Sequence, residues 1–124
     1  MPERHLEFVY TKLFDRSRKN ILSDEEMQAV ENTLLNDPEA GAVMRDTGGA
    51  RKIRAAQENR GKSGSARVIY LYIAERETVY FQLAFAKSVK GNLTPAEKKL
   101  MRTVVALIWA ETWPAKKVVK EGES

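Results

Sequence analysis

Two long apolar segments that follow each other closely are the strongest constraint on the fold of this chain. Residues 66–74, "ARVIYLYIA", and residues 78–87, "TVYFQLAFAK", are rich in β-branched and aromatic residues, which favour strands. The three residues between them, "ERE", are enough for a tight hairpin. Both segments carry apolar residues on both faces, so we predict that they are central strands of an antiparallel sheet, covered by helix on one side.

The remaining elements follow from turn and capping signals. Residues 6–11, "LEFVYT", and residues 51–56, "RKIRAA", are short strand patterns, and the second follows a glycine turn at residues 47–50, "TGGA". The boxes "SDEE" at residues 23–26 and "TPAE" at residues 94–97 have the S/T-x-x-E pattern that starts a helix.

We expect the first helix to end at Asp37-Pro38, or a short second helix to begin there and run through residues 38–46. The C-terminal helix has apolar residues at helical spacing, which predicts a buried stripe backed by two further residues. The stripe is Leu100, Val104, Leu107 and Ile108, and Met101 and Trp109 back it.

This order of elements predicts one α+β domain over residues 1–124, with a small antiparallel sheet of about four to five strands. An N-terminal helix or helices and a C-terminal helix pack on the sheet. The last segment, residues 114–124, opens with a helix-stopping proline and is charged, so we expect a flexible tail there.

Composition narrows the compartment and the classes of site. The chain has no cysteine, which excludes disulfides and thiolate metal sites. The first residues, "MPERHLEFVY", have no signal-peptide pattern, and no segment approaches the roughly 20 apolar residues of a membrane span. We therefore expect a soluble, cytoplasmic protein.

Positive charge is concentrated in one window. The formal net charge is +4, but residues 51–72 contain six cations and a single acid, Glu58. Such a local positive field favours a polyanion, most often nucleic acid; a solvated basic face is the alternative. The six cations are Arg51, Lys52, Arg54, Arg60, Lys62 and Arg67.

Familiar catalytic sets are missing. His5 is the single histidine and lies far from the basic window, no acidic cluster near that window has metal-ligand spacing, and "GKS" at residues 61–63 lacks the P-loop spacing. We predict no metal site and no cofactor. RNA supplies its own nucleophile, the 2′-hydroxyl, so a cluster of Arg and Lys permits RNA cleavage by orienting that hydroxyl and stabilising phosphate charge.

Three quoted blocks carry a family resemblance: "TGGARKIRAA", "NRGKSGSARVIYLYIAERETVYFQLAFAK" and "NLTPAEKKLMRTVVALIWAE". Together they resemble the RelE/ParE superfamily of type II toxins, closest to the HigB-type branch, over roughly residues 8–111. The resemblance implies a RelE-like sheet that is mixed at its first strand. It also implies a toxin that cuts messenger RNA in the ribosomal A site without metal, and that is neutralised by an antitoxin carrying a helix-turn-helix domain.

Matched position by position, the resemblance gives four residues catalytic roles. Arg67 and Lys87 would stabilise transition-state charge, Lys62 would transfer a proton or contact phosphate, and Arg54 would hold the RNA backbone. The remaining assignments are substrate contacts, electrostatic for the cations and stacking for the tyrosines. They are Arg51, Lys52, Arg60, Tyr70 and Tyr72; for the two tyrosines, a core position with the hydroxyl at the rim is the other interpretation.

Strand alternation tests this assignment. Arg67 shares a face with Ile69 and Leu71, whereas Tyr70 and Tyr72 point the other way. Arg67 and Tyr70 would therefore act together only if the strand end is bulged or open on both faces.

The sequence departs from the branch at two places: Ser88-Val89 stands where Asn-Glu is usual, and Ser65 replaces a glycine. Some members of the superfamily inhibit DNA gyrase without cutting RNA, so fold alone does not decide the activity. A gyrase inhibitor and a non-catalytic RNA-binding module remain the two alternatives to a messenger RNA endonuclease.

Overall fold

A mixed sheet with helices on both faces forms the protein. The computed structural model describes residues 5–58, 64–88 and 92–110, together with the backbone of residues 115–121. Within these residues the strands are β1 (His5–Thr11), β2 (Ala42–Val43), β3 (Arg51–Gln57), β4 (Gly64–Ile73), β5 (Thr78–Ala86) and β6 (Ala115–Glu121). The helices are α1 (Lys12–Arg18), α2 (Asp24–Asn36) and α3 (Pro95–Trp109), and a 3₁₀ turn, Ala74–Arg76, joins β4 to β5.

The order of strands across the sheet is β2-β3-β4-β5-β1-β6. β1 runs parallel to β5, and the other neighbours are antiparallel. The α+β class, the central hairpin and the mixed pairing of the first strand are thus confirmed.

Both capping boxes are present. Ser23 accepts from the Glu26 amide while Glu26 accepts from the Ser23 amide, and Thr94 and Glu97 do the same at the start of α3. These exchanges satisfy amides that have no partner inside the helix, so both predicted helix starts are correct. α2 ends at Asn36 with Asp37 as its cap, and the strand β2 takes the place of a second helix.

Two apolar clusters lie on opposite faces of the sheet. α1 and α2 cover one face, where Phe8 and Phe14 stack on Phe81 with ring centroids 5.7 and 5.1 Å apart. α3 covers the other face. The predicted stripe of α3 is wrong in part: Leu100 is 43% exposed and Trp109 49%, and the buried residues are Met101, Val104, Val105 and Ile108.

The C-terminal segment differs from the expected flexible tail. Residues 115–121 form β6, antiparallel to β1 in a register that places Phe8 opposite Val118. Without β6, the backbone groups on that side of β1 would form an unpaired edge. Charged residues, lysine above all, are common on edge strands, which is why charge was a poor guide to disorder here.

Tyr70 fastens the centre of the sheet to the segment after α2. Its side chain is fully buried, its hydroxyl donates to the Pro38 carbonyl at 2.9 Å, and it accepts from the Gly41 amide at 2.9 Å. Burial raises the pKa of Tyr70, while the Gly41 contact acts against that shift. A Cβ at Gly41 would lie 2.8 Å from the ring and 2.9 Å from the Lys52 carbonyl, so only glycine fits this close approach.

Tyr70→Phe should lower the free energy of unfolding by about 1–3 kcal/mol, because two buried backbone groups would lose their partner. Urea denaturation measures the change. Tyr72→Phe is the matched control: Tyr72 is half-buried on the same face of β4, and its hydroxyl has no hydrogen bond to the residues that the structure describes. An equal loss in both variants would contradict the role given to the Tyr70 hydroxyl.

Candidate functional site

Three of the four cations predicted as catalytic lie side by side on one face of the sheet. Arg54 of β3 is directly opposite Arg67 of β4, and Arg67 is opposite Phe85 of β5. Lys87 follows two residues after Phe85, and its amide donates to the Ser65 carbonyl at 3.0 Å. Diagonal neighbours in an antiparallel pair are about 7–8 Å apart, so three predicted residues are brought together at the open end of the face that α3 covers.

This group, with Lys52 added, is called here the cationic face: Lys52, Arg54, Arg67 and Lys87. Lys52 is opposite Ile69 in the register, on the same side of the sheet. Arg54 and Lys87 are exposed, and Lys52 and Arg67 are half-buried. Among the described residues, none of the four forms a salt bridge, whereas Arg18 pairs with Asp24 and Arg51 with Glu39.

A β-bulge aligns Lys87 with Arg67. Ile69 pairs with Leu83 while Tyr70 pairs with Phe81, so Gln82 is an extra residue in β5. Val79, Phe81 and Ala84 pack in the cluster beneath α1 and α2, whereas Leu83 and Phe85 pack beside α3. One inserted residue thus changes the face on which the rest of the strand presents its side chains.

Strand alternation predicts that only a bulged or open strand end brings Tyr70 to Arg67. The observed bulge lies instead in the neighbouring strand, and β4 alternates regularly between its two faces. It therefore brings Lys87, and not Tyr70, to the arginine.

Ser65 belongs to this site although no sequence motif assigns it a role. Arg67 donates through Nη1 to Ser65 Oγ at 3.2 Å and to the Ala66 carbonyl at 3.3 Å. The hydroxyl therefore holds the guanidinium toward the end of the sheet where Lys87 lies. The one sequence signal was that a serine occupies a position where the resembling branch has glycine.

Lys62 and Arg60 lie outside the described residues, but hydrogen bonds hold the end of β3 and the start of β4, which flank their segment. Gln57, the last residue of β3, pairs with Gly64, the first residue of β4, and donates to the Ile21 carbonyl at 3.0 Å. Glu26 accepts from the Glu58 amide with one carboxylate oxygen and from the Ser23 amide with the other. The segment that carries Lys62 therefore starts from the same end of the sheet as Arg67.

Three predicted substrate contacts are not part of the cationic face. Arg51 is opposite Tyr70 and points to the other face, where it donates to the Gly41 carbonyl at 2.8 Å and pairs with Glu39. Tyr70 is fully buried, so stacking on a base is wrong for this residue. Tyr72 is on the Tyr70 face and five residues from Arg67, a separation of about 16 Å along a strand.

The cationic face is suited to binding phosphate. Arginine offers two parallel donors that match two phosphate oxygens, and an exposed lysine adds a mobile positive charge. The described residues include no group of three or more His, Asp or Glu side chains placed to hold a metal ion.

Fold and site together define a small basic α+β protein with a cluster of cations on one open face of its sheet. The family described as "RelE toxin of RelE / RelB toxin-antitoxin system" matches residues 7–120. The match spans most of the 124 residues, and the chain belongs to the RelE toxin family. It is accordingly a toxin of a toxin–antitoxin system, and membership implies an antitoxin partner. None of the described helices is long and apolar enough to cross a membrane.

Arg54→Thr should leave the free energy of unfolding unchanged or raise it by about 0.2–1 kcal/mol, because like charges directly opposite in a sheet repel. The gain should shrink in high salt, which screens the repulsion. Arg51→Thr, on the same strand, is the matched control and should destabilise, since it removes the contacts to Glu39 and Gly41. Urea denaturation at two salt concentrations measures both; a clear loss of stability for Arg54→Thr would show that Arg54 has a structural role.

Proposed function

We propose that this toxin is a ribosome-dependent, metal-independent endoribonuclease that cleaves messenger RNA and so inhibits translation. The observation that carries the proposal is the juxtaposition of Arg54, Arg67 and Lys87 on one open sheet face. Family membership supports it, since toxins of the RelE family are generally endoribonucleases. The quoted motifs support the HigB-type branch within that family.

The proposed chemistry needs little beyond positioned cations. The 2′-hydroxyl of the RNA attacks the adjacent phosphorus, and the 5′-oxygen of the next nucleotide leaves. Arg67 and Lys87 stabilise the additional charge on the phosphate oxygens, while Arg54 holds the backbone of the RNA. Lys62 transfers a proton or contacts the phosphate, and Lys52 and Arg60 add long-range attraction.

The proposed partners follow from the function. Messenger RNA on the ribosome is the substrate, the protein acts in the cytoplasm, and the antitoxin is a helix-turn-helix protein. We propose no cofactor, because the nucleophile comes from the RNA and the charge stabilisation from side chains.

Arg67→Ala and Lys87→Ala should each abolish growth inhibition when the toxin is expressed without antitoxin, because each removes a charge that stabilises the transition state. After induction of the unsubstituted toxin, mapping of transcript ends should show new ends at a fixed position within codons. Neither variant should produce such ends. Lys99→Ala is the matched control, an exposed cation on α3, and should remain fully toxic.

Two outcomes would overturn the proposal. DNA damage without new transcript ends would indicate gyrase inhibition. Salt-sensitive RNA binding by the purified protein, without cleavage on programmed ribosomes, would indicate a binding module.

The role of Lys62 is tested separately by Lys62→Arg, which keeps the charge but does not release a proton in the working range. If Lys62 is the proton acceptor, cleavage should fall strongly and lose its rise with pH. If Lys62 only contacts phosphate, the rate and its pH profile should be retained. Single-turnover cleavage on programmed ribosomes between pH 6 and about 9 gives the profile.

A further inference from the structure

The bulge in β5 lies where the strand loses its neighbour. The parallel ladder from β1 ends at the pair Tyr10 and Phe81, and α1 begins directly after Thr11. From Gln82 onward, α1 and not a strand borders this edge of β5. The backbone groups of the bulged segment therefore need partners from side chains.

Two hydroxyls flanking the bulge supply those partners. Thr11 Oγ1 donates to the Phe81 carbonyl at 2.7 Å, and Ser17 Oγ accepts from the Ala84 amide at 2.9 Å. Ser17 also donates to the Phe14 carbonyl at 3.0 Å, which fixes the orientation of its hydroxyl. Ala84 is 3% exposed, so water does not readily replace the serine.

The bulge determines which face carries Lys87. In a regular strand continuing from Phe81, residues 83, 85 and 87 would fall beneath α1 and α2; the extra residue moves them to the α3 face. Ala84 is the first residue after the bulge whose amide is held from outside the β4–β5 ladder. Its contact with Ser17 thus fixes the part of β5 that leads to Lys87.

We infer that Ser17 is a positioning residue of the active site, which keeps Lys87 beside Arg67 by holding the bulged end of β5. The inference rests on the proposed function, because it assigns the consequence to RNA cleavage. Ser17 lies in α1 beneath the opposite face of the sheet and acts only through the strand. Sequence motifs do not point to it, since its role depends on a hydrogen bond to Ala84, 67 residues away.

The test is a double-mutant cycle measured as single-turnover cleavage on programmed ribosomes, which quantifies residual activity in weak variants. Ser17→Ala should slow cleavage about tenfold, since a displacement of about 1 Å in a catalytic group has effects of that order or larger. In the Lys87→Ala background, the same change should have no further effect, because the group it positions is gone. Ser17→Thr keeps the hydroxyl and should retain activity.

Thr103→Ala is the matched control, since it removes an exposed hydroxyl that donates to a carbonyl of its own helix, Lys99; it should change the cleavage rate neither alone nor in the Lys87→Ala background. A Ser17→Ala effect of equal size in both backgrounds would show a general structural defect and overturn the inference. If Lys87→Ala alone leaves cleavage unchanged, the proposed active site fails instead. Should Ser17→Ala not fold, Ser17→Cys keeps the volume with a weaker acceptor, and full activity of that variant would overturn the inference.

Discussion

The antiparallel pairing of β4 with β5 is the interaction on which the rest of the structure depends. It is the central ladder of the sheet, both of its faces are buried by helices, and every other strand is added to one of its two edges. Because side chains alternate strictly along a strand, its register decides which residues enter the core and which meet solvent. The single break in that register, at Gln82, therefore has consequences for both the core and the site.

Gln82 itself is an unusual core residue. It is fully buried, its amide donates to the Met101 carbonyl at 3.3 Å, and its Oε1 has no hydrogen-bond partner among the described residues. A buried acceptor without a partner is unfavourable by about 1–3 kcal/mol. This unfavourable contribution falls at the bulge, where the side chains of β5 change the face of the sheet on which they lie. Bulges are features that a fold maintains for the local geometry they produce.

Much of the fold could be predicted from local signals. The two capping boxes, the glycine turn and the β-branched segments each act through neighbours in sequence, and each predicted its element correctly. α1, β6 and the bulge were missed for a common reason: they depend on partners distant in the chain. Thr11 is the N-cap of α1, and its hydroxyl serves both the helix and the Phe81 carbonyl. β6 pairs with an edge of β1 that would otherwise be open.

The chemical character of the candidate site could be predicted from the sequence, but the full set of residues that form it could not. Charge density and motif indicated Arg54, Arg67 and Lys87, which the structure brings together. The same charge count could not separate Arg51 from them, because adjacent residues of a strand face opposite sides. Ser65 and Ser17 carry no charge and no motif, so only their hydrogen bonds identify them.

Glu26 accepts hydrogen bonds from two parts of the chain, the N-terminus of α2 and the residue that follows β3. One carboxylate oxygen closes the first turn of α2, and the other holds Glu58, the last described residue before the segment that carries Lys62. Helix ends are the parts of a helix that open first in local fluctuations. Fraying of α2 at Ser23 would therefore also release the Glu58 amide, so the local unfolding equilibrium of a helix end reaches the chain just beyond β3.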